Sequence, residues 1–253
     1  LQETEGIHAL RLAHALGWWA YETSDASIIS RYPIVETLGS TNKSAAVRIA
    51  LDGDRQQVVV WAAHLAFQKY GPYGFCFDGK DSATVLQQED ASGRTAEAQE
   101  LSDAIRPYVD GSDRVPVLLT GDFNSPSHLD YTAATSDLHC GAGEVQWPAS
   151  WYPVQVGLRD SFREAHPDPV ADPGHTWSPI YVSNPDYGDK PEPKDRIDFV
   201  YYAGAMRVKD SVAYMIDDPK PKPEPNQKNN YWTSDHRAVV TTFELVDKAL
   251  GKS

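Results

Sequence analysis

Val115 to Thr120 is a short apolar run that ends abruptly at Gly121-Asp122-Phe123-Asn124. A run of that length reads as a buried strand, and a buried strand needs packed layers around it. Two more strands, Ala45–Leu51 and Val58–Ala63, flank the turn dipeptide Asp52-Gly53 and read as a hairpin. A strand over Ala26–Val35, a second hairpin of Ile197–Tyr202 and Val208–Met215 around Ala203-Gly204, and a last strand over Arg237–Leu245 complete the β content. Helices are expected over Gly6–Gly17, after Ser92 with the face Leu101, Ala104, Ile105 and Tyr108, and briefly over Gly157–Ala165. His64–Gly93, the aromatic stretch Trp147–Tyr152 and the four-proline segment Ile216–Tyr231 read as loops. No repeat or composition break divides the chain. The expectation is one α+β domain over 1–253, with mixed sheets in layers.

Charge and composition exclude several functions. Lysine and arginine number 23 against 36 acids, a net charge of −13. That field opposes a protein that coats long polyanions, but not an enzyme meeting phosphate through a local cation. No run approaches the roughly 18 apolar residues of a membrane-spanning helix. The two cysteines, Cys76 and Cys140, exclude a disulfide framework and a four-thiolate zinc site. They read equally as one disulfide or as two separate thiols.

Polar residues that interrupt or end apolar strands are costly unless paired or used. Five such places occur: Glu3 after Leu1-Gln2, His64 after Val58–Ala63, Asp122 with Asn124, Asp198 inside Arg196-Ile197-Asp198-Phe199, and Asp235-His236 at the last strand. Each has an ordinary account. Glu3 reads as a surface acid, His64 as a structural histidine and Gly-Asp-Phe-Asn as an Asx turn. Asp198 reads as a partner of Arg196, and Ser234-Asp235-His236 as a cap. Together they supply acids, two imidazoles and an amide, a set suited to a hard cation acting on a phosphoester.

In this order, with Ser30-Arg31-Tyr32-Pro33-Ile34 and Ala63-His64-Leu65, the motifs resemble the endonuclease/exonuclease/phosphatase superfamily of metal-dependent phosphoesterases. The resemblance implies a four-layer α/β sandwich, two packed mixed sheets flanked by helices, with the active site on strand ends and loops. It implies that Glu3 ligates a divalent metal, Mg²⁺ with Mn²⁺ or Ca²⁺ as alternatives, and that Asp235 is a second acidic contact. Asp122 would orient or deprotonate water, and Asn124 would hold that nucleophile and the phosphate. His236, its ring fixed by Asp198, and His64 would contact phosphate. His175-Thr176-Trp177 resembles the family's segment before the Ile-Asp strand, where a Thr or His touches phosphate, and reads equally as a structural β-bulge. The family's first strand, ending in Asn, has no counterpart before Leu1, so the domain is expected to lack it. The acid that pairs with His64 is also without a clear match; Asp25 is a weak candidate that reads more readily as a plain loop acid.

A phosphodiester or phosphomonoester substrate, leaning to a small molecule, lipid headgroup or sugar phosphate with nucleic acid left open, a monomeric state and an extracellular location follow as expectations, the last from the even cysteine count in an acidic, Trp- and Tyr-rich chain. The competing readings are a binding protein of the same fold without turnover and, last, a zinc hydrolase built on His64 and His236.

Overall fold

The computed structural model describes residues 1–246. Its helices are α1 (His8–Leu16), α2 (Gly71–Cys76), α3 (Ser82–Ser92), α4 (Arg94–Asp110), α5 (Pro148–Gln155) and α6 (Ser161–Ala165). The strands are β1 (Trp19–Glu22), β2 (Ser27–Ser30), β3 (Ile34–Thr37), β4 (Ser44–Asp52), β5 (Gln56–His64), β6 (Val117–Asp122), β7 (Arg159–Asp160), β8 (Ser183–Asn184), β9 (Lys190–Pro191), β10 (Asp198–Ala203), β11 (Met206–Tyr214) and β12 (Ala238–Leu245).

The centre is a six-stranded mixed sheet in the order β3-β4-β5-β6-β10-β7. β5 and β6 run parallel, joined by the crossover through α2, α3 and α4, and the other neighbours are antiparallel. On one face Val59, Trp61 and Ala63 of β5 and Val117 and Leu119 of β6 pack with Ala98, Leu101, Ile105 and Val109 of α4. On the other, Val58 and Ala62 pack with Ala45, Val47 and Ile49 of β4 and with Ala26 and Ile28 at β2. Both faces are covered, which is why β5 and β6 are apolar at consecutive positions. Each large side chain fully buried here, Trp61 among them, contributes about 1.5–3 kcal/mol. The antiparallel pairs β1-β2 and β11-β12 form the next layer, and α1 packs outside β1 and β2. Mixed sheets with flanking helices make the layered α/β sandwich that the motifs imply.

Three local expectations fail for identifiable reasons. The segment after His64 is not a loop: Pro72 in the first turn starts α2, and the Asp81 carboxylate accepts the Thr84 N–H at 2.8 Å to start α3. Pro148 likewise opens α5 where an aromatic loop was expected. The hairpin around Ala203-Gly204 does not form. β10 is occupied on both edges, by β6 and β7, so the chain leaves the sheet and β11 pairs with β12. Gly204 makes that exit with φ at 100°, and a Cβ there would meet the Ser112 carbonyl oxygen at 2.3 Å.

No strand joins β2 to β12 among the described residues. Between residues 1–3 and the start of β12 lies a cavity of about 470 Å³, floored by Thr120–Asp122 and Asp198–Val200.

Candidate active site

Strand register builds the centre of the site. His64 of β5 is the Cα partner of Asp122 of β6, and Asp122 is the Cα partner of Asp198 of β10. Paired residues on neighbouring strands project to the same face, so one imidazole and two carboxylates stand in a row at one end of the sheet. Close strand approach helps to hold that row. A Cβ on Gly121 would sit 2.1 Å from the Ala63 carbonyl oxygen, which excludes every other residue there.

His236 arrives from the second layer, just before β12. Residue 236 bridges to Trp177, and Trp177 bridges to Asp195. The buried Thr176 hydroxyl accepts the Ile197 and Asp198 N–H groups at 3.0 and 3.2 Å. Thr176 therefore fixes the start of β10 from inside the protein and does not line the cavity, which corrects its expected place against substrate. His175 is half-buried, and its carbonyl oxygen accepts from Arg237 at 2.7 Å. Burial lowers its imidazole pKa. Trp177 stays at the site, with its ring centroid 4.9 Å from that of His236.

Two carboxylate–imidazole pairs face one acid. His236 Nδ1 lies 2.9 Å from Asp198 Oδ2, and His64 Nδ1 lies 2.9 Å from Asp25 Oδ1. Each carboxylate fixes the ring so that Nε2 faces inward, at 3.7 Å (His64) and 3.9 Å (His236) from Asp122 Oδ2. Asp25 is thus the partner of His64 and not a plain loop acid. Its other oxygen lies 3.3 Å from Lys43 Nζ. The clue was the rule used elsewhere in the chain: Asp25 stands at the entry to the buried strand β2. Burial alone would raise the Asp25 pKa, but His64 and Lys43 hold it below the usual carboxylate value.

Asp198 makes no pair with Arg196, whose guanidinium binds Asp130 and Asp160 instead. Asp198 is free to hold His236. The Asx turn at Gly-Asp-Phe-Asn also exists, since the Asn124 N–H donates to Asp122 Oδ1 at 2.8 Å. It coexists with the site: Asn124 adopts φ of 50°, and its amide Nδ2 donates to the Leu65 carbonyl at 3.0 Å.

The electrostatics separate two roles. Burial, then the neighbouring Asp198, push Asp122 up to about 7 against the pull of both histidines. For His236, burial acts downward, but Asp198, Asp122 and Asp235 overcome it and raise the imidazole to about 10. Near neutrality the site therefore has a cationic imidazole beside a carboxylate able to take a proton.

Asp122, Asp198 and His236 offer ligand atoms within 4.8 Å of one another. Glu3 and Asp235 line the same cavity as these three residues. Four acids around one cavity are the hard oxygen set that a small divalent cation takes, so the residues present fit such an ion.

The sequence profile of the Endonuclease/Exonuclease/phosphatase family matches residues 1–236, and the chain belongs to that family. An uncharacterized Caenorhabditis elegans protein is 31% identical over 230 residues, covering 89% of this chain and 72% of the relative. Among solved structures, the 3′-5′ exonuclease NExo from Neisseria meningitidis is similar with a TM-score of 0.56 at 19% identity, covering 95% of this chain and 84% of that one. Truncated Caenorhabditis elegans TDP2 gives 0.55 at 14%, with 96% and 82% covered. An AP endonuclease from Archaeoglobus fulgidus gives 0.54 at 18%, with 92% and 81% covered. At these identities the structures establish the shared fold. Phosphoester hydrolysis is the chemistry of the family, which generally employs a divalent metal.

Cys76, at the end of α2, and Cys140 form a disulfide across a sequence separation of 64. The bond ties α2, with Tyr73, to the turn at Ala133–His139.

Proposed function

We propose that this chain is a divalent-cation-dependent phosphoesterase whose catalytic residues are His64, Asp122, Asn124, Asp198 and His236, with Glu3 and Asp235 holding the cation. The observation that carries this reading is the convergence of two carboxylate-backed imidazoles on the buried Asp122. A phosphoryl group between the two Nε2 atoms receives hydrogen bonds from both sides as negative charge builds on its oxygens. Asp122 takes a proton from water while the water oxygen bonds to phosphorus. The ester P–O bond breaks, the leaving oxygen takes up a proton from solvent, and Asp122 returns its proton to solvent, which balances the hydrolysis. Asn124 holds the nucleophile and the phosphate. Glu3 and Asp235 would hold a Mg²⁺, or Mn²⁺ or Ca²⁺ in its place, and such an ion would supply charge neutralisation at the phosphate.

The same reading takes 1–253 as one domain. It also takes the protein as a secreted monomer, supported by the Cys76–Cys140 bond. A panel of bis-p-nitrophenyl phosphate, plasmid, single-stranded DNA, RNA, sphingomyelin and inositol phosphates, assayed with Mg²⁺, Mn²⁺ or chelator, tests the function. Metal-dependent turnover of at least one member is expected. Folded protein inert on all of them would leave a binding protein of the same fold.

A further inference from the structure

Beside the catalytic cluster lies a second cavity of about 220 Å³, lined by Phe67, Tyr70, Tyr73, Asn124, Trp177 and Ile197. It adjoins the phosphate side of the site twice, through Asn124 and through Trp177, whose ring touches that of His236. The cavity is thus placed to take a substituent of a molecule whose phosphate meets the histidines.

The walls are aromatic, and their polar tips are already engaged. Tyr70 Oη donates to Asp195 Oδ2 at 2.9 Å. Tyr73 Oη and Trp177 Nε1 donate to the same oxygen, Glu192 Oε1, at 2.7 and 2.8 Å. Asp195 is 1% exposed and Glu192 is 5% exposed, so water screens these carboxylates little. Burial, then Asp195, push the Tyr70 hydroxyl well above its usual value, so it remains a donor. What the three rings offer the cavity is carbon, with anions directly behind it.

Donation into a carboxylate makes a ring more electron-rich, and the negative potential of an aromatic face attracts cations. Among the described residues no lysine or arginine lines the cavity, and the cationic His236 stands on the phosphate side of Trp177. A neutral heterocyclic base would find stacking but only one lining amide, that of Asn124, to read its edge, and one of that amide's N–H groups already donates to the Leu65 carbonyl. Phe67 is 66% exposed and stands at the rim.

We propose that this cavity binds an alkylammonium group, and that the preferred substrates are phosphoesters carrying a quaternary ammonium, of the phosphocholine class. The substrate part rests on the phosphoesterase reading; the binding part does not.

The test separates the two. Choline chloride and its uncharged isostere 3,3-dimethylbutanol are titrated calorimetrically into the metal-free protein, with adenosine as a third probe. Wild-type turnover of bis-p-nitrophenyl phosphate with Mg²⁺ is measured in parallel. Choline is expected to bind about tenfold or more tightly than the isostere. Phe67→Ala, at an exposed position and checked for folding by circular dichroism, is expected to lose most of that preference. Equal binding of choline and isostere, no binding of choline, or tighter binding of adenosine would each overturn the proposal, whatever the turnover. Choline selectivity in a protein inert on every phosphoester would instead remove the phosphoesterase reading and leave the cation site standing.

Discussion

His64 and His236 face each other across Asp122, their Nε2 atoms 3.7 and 3.9 Å from the same carboxylate oxygen. They come from different layers, one at the end of β5 and one before β12. Neither ring is placed by the other, since each has its own carboxylate behind Nδ1. The space between the two Nε2 atoms is consequently set by four side chains, and each can be altered alone.

The Asp25–His64 pair gives the first test. Asp25→Asn keeps shape but removes the charge that orients the ring, and kcat is expected to fall by about 10- to 100-fold. His64→Ala should fall further, and Asp25→Asn should add little to it, because the two act as a unit. Full additivity in this double-mutant cycle would mean that Asp25 acts elsewhere.

Titration gives the second. Catalysis by Asp122 requires its ionised form and catalysis by His236 its protonated form. The rate should rise through about pH 7 and fall near pH 10. Stability should run one way. Both groups have raised pKa values in the folded protein, so the folded state binds more protons than the unfolded one. The His236 contribution is complete below its unfolded value of 6.5 and disappears as pH rises through about 10. The charge on Asp122 becomes a cost between 3.8 and about 7. Above pH 6.5, where the lowered His175 pKa no longer acts in the opposite sense, thermal melts of metal-free protein should therefore decline with pH, and His236→Gln should flatten that decline. An unchanged slope in that variant would assign the effect to other groups.

Arg196 carries the third. Its guanidinium is buried and binds Asp130 with two nitrogens, at 3.0 and 2.9 Å, and Asp160 at 2.7 Å. Arg196→Met leaves two buried carboxylates short of a partner, although Arg163 still reaches Asp130 at 2.9 Å. A loss of about 3–5 kcal/mol is expected in urea unfolding. A loss below about 1 kcal/mol would show that Arg163 suffices.

Reduction of Cys76–Cys140 supplies the fourth. Closing a loop of that length restricts the unfolded chain by about 4 kcal/mol. The reduced protein should melt at lower temperature, and its choline affinity should drop, because α2 carries Tyr73. An equal melting point in both redox states would show that the bond adds no stability.

Much of the site is legible in the sequence because strand ends announce themselves. His64, Asp122, Asp198 and Asp235-His236 each break an apolar run, and burial makes such breaks expensive unless they serve a purpose. Asp25 was legible by the same rule but stands before a strand of only four residues, where little apolar sequence marks the break. The exit at Gly204 was not legible: Ala203-Gly204 has the composition of a hairpin turn, and only the occupation of both edges of β10 decides otherwise. Thr176 looks like a substrate contact by its place beside Trp177, whereas its hydroxyl is consumed by two backbone N–H groups of β10. Pairing across more than a hundred residues, such as Tyr70 with Asp195, leaves no local pattern at all.

The central claim is that Asp122 and His236 perform phosphoester hydrolysis, and steady-state kinetics on the best substrate of the panel tests it most directly. With folding checked by circular dichroism, His236→Ala and Asp122→Asn are each expected to lower kcat by about 10² or more. Asp198→Asn, which misorients the ring without removing it, should be milder than His236→Ala. Wild-type rates in folded His236→Ala would contradict the account and move the chemistry to another part of the molecule.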